Sequence, residues 1–75
     1  METEIPFRVR CYLKGELARL YTPWLQRESA THNLRRWIKH NKLLSESLAG
    51  LGYRPADKIF SAAQVREIVK YLGEP

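Results

Sequence analysis

The chain has one cysteine, Cys11, among its 75 residues. A lone thiol closes no intramolecular disulfide, which excludes a disulfide scaffold and fits a reducing compartment. A cytoplasmic location is the expectation. Long apolar runs are also missing. The longest, Cys11-Tyr12-Leu13, is far short of the roughly 20 residues a membrane helix needs. Met1-Glu2-Thr3-Glu4 is acidic and lacks the charged-then-apolar layout of a signal peptide. His32 and His40 stand apart from each other and from Cys11, so no closely spaced Cys/His pair offers a zinc site. There is no Gly-rich phosphate loop, no convincing carboxylate pair and no third group to complete a Cys–His nucleophile. A chain this short has no room for both a core and an enclosed substrate cleft. The expectation is one domain over residues 1–75, without catalytic residues, metal or cofactor, with residues 1–5 as a loose arm.

Acidic residues are scarce, 8 against 13 Lys and Arg. The net charge is +5 and the isoelectric point about 9.7, which favours polyanionic partners. The excess is concentrated. Between Arg27 and Lys42 five basic residues meet only Glu28, so this stretch carries +4 of the total.

Periodicity and capping signals place the elements. Phe7, Val9 and Cys11 alternate with Arg8, Arg10 and Tyr12, the period of a half-buried strand. Lys14 to Tyr21 reads as a short helix with Leu17, Leu20 and Tyr21 on one face, stopped by Thr22-Pro23. Trp24 to Glu28 reads as a loop. Ser29 is the expected N-cap of a second helix over residues 30–41. Ala30, Leu34, Trp37, Ile38 and Asn41 share its apolar arc; His32, Arg35, Arg36 and Lys39 share the opposite one. Leu44, Leu48 and Leu51 mark a third helix from about Lys42 to Gly50, with Gly50 and Gly52 available to end it. Arg54-Pro55-Ala56-Asp57 is turn chemistry, and Lys58-Ile59-Phe60 is a candidate strand pairing with Phe7–Cys11. Ser61-Ala62-Ala63-Gln64 is a capping box, with Phe60 and Val65 as its hydrophobic staple, opening a last helix that Gly73 closes.

The basic face of the second helix is the leading candidate site. Arg35, Arg36 and Lys39 form its centre, His32 and Asn33 lie near its start, and Lys42 follows it. Arginine pairs bidentately with guanine or phosphate, lysine acts as a point charge, and asparagine can read adenine. A solvated outer face is the bland alternative. No acidic residue interrupts this face, which favours nucleic-acid contact. Arg8, Arg10 and Arg54 either extend the footprint or guard a strand edge. Trp24, Leu25 and Tyr71 are candidate partner-binding residues. For so thin a core, the expectation is that the Trp24 loop folds back to cap it.

Tyr12-Leu13-Lys14-Gly15-Glu16-Leu17-Ala18-Arg19-Leu20-Tyr21 resembles the opening of excisionase and MerR-type helix-turn-helix domains. Leu34-Arg35-Arg36-Trp37-Ile38 resembles their recognition helix. The usual turn of that motif is about three or four residues, whereas Thr22 to Ser29 is longer, so the recognition-helix reading rests more on charge geometry. A resemblance over nearly the whole chain is to the Bacteroidetes family called domain of unknown function 4248. It is carried by Gly15-Glu16-Leu17-Ala18, Ser29-Ala30, Trp37-Ile38, Leu51-Gly52-Tyr53, Ala63-Gln64-Val65 and Leu72-Gly73-Glu74-Pro75. It implies a small bacterial or mobile-element protein and carries no activity with it.

The expected fold is mainly α, a small helix-turn-helix-like domain of four helices with a two-stranded ribbon. The expected core is Phe7, Val9, Leu17, Leu20, Leu34, Trp37, Ile38, Leu44, Leu48, Leu51, Phe60, Val65, Ile68, Val69 and Leu72. The expected partner is DNA, with RNA second. A protein partner or homodimer is the alternative, and no membrane role is expected.

Overall fold

The computed structural model describes residues 7–75; the expected arm at residues 1–5 lies outside them. The element order is β1 (Tyr12–Leu13), α1 (Lys14–Tyr21), α2 (Arg27–His40), α3 (Lys42–Gly50), β2 (Ile59–Phe60) and α4 (Ala62–Leu72). The described residues are therefore mainly helical, with one two-stranded antiparallel sheet.

The ribbon exists, but displaced from its expected position. Tyr12 pairs with Phe60 and Leu13 with Ile59, while residues 7–11 form no strand. The side-chain period of a strand is two, so this displacement inverts the face that is buried. Tyr12 is buried, whereas Val9 and Cys11, expected inside, are exposed. Local polar contacts hold the segment instead. The Tyr12 hydroxyl donates to the Arg8 carbonyl at 2.8 Å, and the Arg10 guanidinium lies 3.9 Å from the centre of the Tyr12 ring.

Helix α1 buries Lys14, Gly15, Leu17 and Ala18. Leu20, expected in the core, falls at the edge of that stripe and is exposed. Helix α2 starts at Arg27 with Gln26 as its N-cap, so Ser29 is inside the first turn and caps nothing. The connection from α1 is therefore only Thr22 to Gln26. Thr22 organises it: its buried hydroxyl donates to the Ala18 carbonyl at 3.1 Å, and its own carbonyl accepts from the Leu25 amide at 3.0 Å.

The buried stripe of α2 is Ala30, Leu34 and Ile38, spaced four apart. Trp37 lies one step off it and stays partly exposed, packed edge-on against Tyr21 at 6.1 Å between ring centres. Asn41 ends α2 and caps α3, its side-chain oxygen accepting from the Leu44 amide at 3.0 Å. Leu44 and Leu48 are fully buried. Leu51 is not, because the chain leaves the helix there and turns through Gly52 at φ 85°. Burial of each such large aliphatic or aromatic side chain stabilises the fold by about 1.5–3 kcal/mol.

The capping box of α4 is present as expected. Ser61 Oγ accepts from the Gln64 amide at 3.2 Å, and Gln64 Oε1 accepts from the Ser61 amide at 2.9 Å. Phe60 and Val65, the staple pair, are both fully buried. Gly73 stops the helix at φ 85°. Its carbonyl accepts a 2.6 Å hydrogen bond from the Tyr21 hydroxyl, which ties α1 to the end of α4. Burial, with a contribution from Glu74, pushes the Tyr21 phenol up to about 12. Val69 and Leu72 are half-buried against the core, as is Phe7.

Candidate nucleic-acid interface

Burying Ala30, Leu34 and Ile38 forces the other side of α2 outward. Arg35, Arg36 and Lys39 are exposed there, with His32 one turn earlier. These four side chains do not stand on a bare ridge. They line a groove of about 610 Å³ whose other walls come from α3 and the turn after it: Ser45, Ala49, Tyr53 and Pro55. Ile38 also lines it, and among the described residues no carboxylate does. The only acidic residue of α2 is Glu28, in the first turn.

Ser45 fixes the α2–α3 corner. Its hydroxyl donates to the Ile38 carbonyl at 2.8 Å, seven residues back. The opposite wall is pinned from α1. The Lys14 ammonium donates to the Pro55 carbonyl at 2.7 Å and lies 4.9 Å from the centre of the Tyr53 ring. Asp57 closes the turn, its carboxylate accepting from the Arg54 amide at 3.0 Å. Burial, and then Arg35, lowers the Lys14 ammonium below its usual range, while Asp57 opposes them. Burial raises the Tyr53 phenol; there Arg35 acts downward and Asp57 upward. Arg35 thus acts electrostatically on both residues.

Of the candidate residues, His32, Arg35, Arg36 and Lys39 come together. Asn33 is half-buried and Lys42 exposed, and neither lines the groove. Arg8, Arg10 and Arg54 are exposed but also lie outside it. The residues missed from sequence are Tyr53, Pro55, Ser45, Ala49 and the supporting Lys14. Only Gly52 and the Arg54-Pro55-Ala56-Asp57 turn carry a signal there, and it concerns chain reversal.

The partner-binding candidates separate. Leu25 and Tyr71 are half-buried against the core. Trp24 does not fold back: it is 76% exposed, the most exposed large apolar side chain among the described residues. Hydrogen bonding turns the Thr22–Leu25 backbone locally, and the core closes without the indole. Among the described residues no helix is long and apolar enough to cross a membrane, and no cluster of His, Cys, Asp and Glu gathers as a metal site.

The family model described as Domain of unknown function (DUF4248) matches residues 8–75. The chain belongs to this family. No curated protein and no solved structure matches it.

Proposed function

We propose that this DUF4248 protein binds nucleic acid, DNA in the first place, through the basic face of α2, without catalysing a reaction. One observation carries the reading: Arg35, Arg36 and Lys39, with His32, line a single groove to which the described residues contribute no carboxylate. Clustered cations release counterions from a phosphate backbone, which drives sequence-independent binding and makes it sensitive to salt. The layout of α1, the Thr22–Gln26 turn and α2 is helix-turn-helix-like, with a turn slightly longer than the usual roughly three or four residues, and the reading does not require α2 to enter a major groove. Fluorescence anisotropy with labelled duplex DNA, single-stranded DNA and RNA tests it. The Arg35→Glu/Arg36→Glu/Lys39→Glu variant should lose binding to whichever probe the wild type takes.

The exposure of Trp24 favours a second reading, a protein-docking module with the basic helix as a steering surface. A pull-down that recovers a protein after nuclease treatment, and loses it with Trp24→Ala, supports that reading over the first.

A further inference from the structure

The groove has a shape as well as a charge, and the shape selects among nucleic acids. A helix about 10–12 Å across fills a major groove about 12 Å wide, so a helix that reads duplex DNA needs its contacting face clear. Here the basic face of α2 is confronted by Ala49 of α3 and by Tyr53 and Pro55 of the following turn. The space beside α2 measures about 610 Å³, within the roughly 300–1,000 Å³ of pockets that hold small organic ligands. That is the scale of one or two nucleotides.

The groove offers two kinds of contact. Arg35, Arg36 and Lys39 suit phosphate on one wall. Tyr53 and Pro55 supply a semi-apolar wall opposite, and the Tyr53 ring is half-buried. Phe60 stacks 5.2 Å from the Tyr53 ring centre, and the Lys14 ammonium lies 4.9 Å from Tyr53 and 5.9 Å from Phe60. Three such similar distances make a compact triangle, so Phe60 and Lys14 do not sandwich Tyr53 between them. The ring is held in place by both and still borders the groove. Cations along a groove with an aromatic surface in its wall are how single strands are bound, because an unpaired base exposes the face that a duplex hides.

We infer that the groove takes a nucleotide of single-stranded nucleic acid, its phosphate on Arg35, Arg36 and Lys39 and its base against Tyr53 and Pro55. This rests on the nucleic-acid reading above and adds strand selectivity to it.

The test is anisotropy with one labelled sequence presented as single-stranded DNA, single-stranded RNA and duplex DNA. The single strands should bind at least about tenfold more tightly than the duplex, within the range that stacking one base contributes. Ala49→Trp, at an exposed position on the groove wall, should fill the space and weaken single-strand binding about tenfold with little effect on the duplex. Tyr53→Leu should act in the same direction, and Tyr53→Phe should retain binding. Should Tyr53→Leu fail to fold by circular dichroism, Ala49→Trp alone decides. Equal or tighter binding of the duplex overturns the inference, as does unchanged single-strand binding by Ala49→Trp. Either result leaves the nucleic-acid reading standing. If no probe binds, or the triple charge reversal binds as well as wild type, that reading fails with it. The relative affinities of the DNA and RNA strands identify which single strand the groove takes.

Discussion

The Lys14 ammonium donates a 2.7 Å hydrogen bond to the carbonyl of Pro55, 41 positions further along the chain. One buried cation thereby joins the first turn of α1 to the turn that walls the basic groove. Its burial carries a cost, which its lowered pKa expresses.

That cost has a sign that can be measured. The folded-state pKa of Lys14 lies below the unfolded value of 10.5, so between the two the unfolded chain binds more protons. Stability therefore rises with pH across that window. Lys14→Met should remove this contribution, so wild-type stability minus Lys14→Met stability should increase as pH approaches 10.5. Urea titrations at a series of alkaline pH values measure it. A difference that stays constant or falls contradicts the account.

Tyr21 acts in the opposite direction. Its folded pKa, pushed up to about 12 from 10.0, makes the folded state hold its proton longer. That contribution is fully present below pH 10 and is lost as pH rises toward 12. Tyr21→Phe should lose about 1 kcal/mol at neutral pH through the missing bond to Gly73. The gap should close at high pH, and the same titrations follow it.

Ser61 gives a prediction independent of the groove. Ser61→Ala removes the oxygen that accepts from Gln64 and should cost about 1 kcal/mol. In a domain of this size that is a fall of roughly 4–8 °C in Tm. Thermal unfolding followed by circular dichroism reads it.

Trp24 should be dispensable for folding. At 76% exposure its replacement by Ala should change stability by no more than about 0.5 kcal/mol. A substantially larger loss in denaturant unfolding would mean that the indole is packed after all.

The elements that were legible in sequence are those with local causes. The capping box at Ser61, the stop at Thr22-Pro23 and the Leu44/Leu48 stripe need only neighbouring residues, and each stands where the sequence puts it. The ribbon lies beyond the alternating segment because alternation at Phe7, Val9 and Cys11 says nothing about which residues Ile59 and Phe60 reach. Leu20, Trp37 and Leu51 match the core periodicity yet lie partly outside the core, because periodicity gives a direction and not a boundary; short helices with one packed stripe leave edge residues half outside. The basic wall of the groove was visible because it belongs to one helix. The opposite wall was not. Ala49, Tyr53 and Pro55 reach it only through the α2–α3 corner and the Lys14–Pro55 bond, contacts that no local pattern encodes.

The central claim is that Arg35, Arg36 and Lys39 meet phosphates, and the salt dependence of binding tests it most directly. With about four phosphates neutralised, log K against log[salt] should have a slope of about −2.8 for a single strand or about −3.6 for duplex DNA. The slope should collapse toward zero in Arg35→Glu/Arg36→Glu/Lys39→Glu. A flat dependence in the wild type, or the same slope in the variant, would contradict the account.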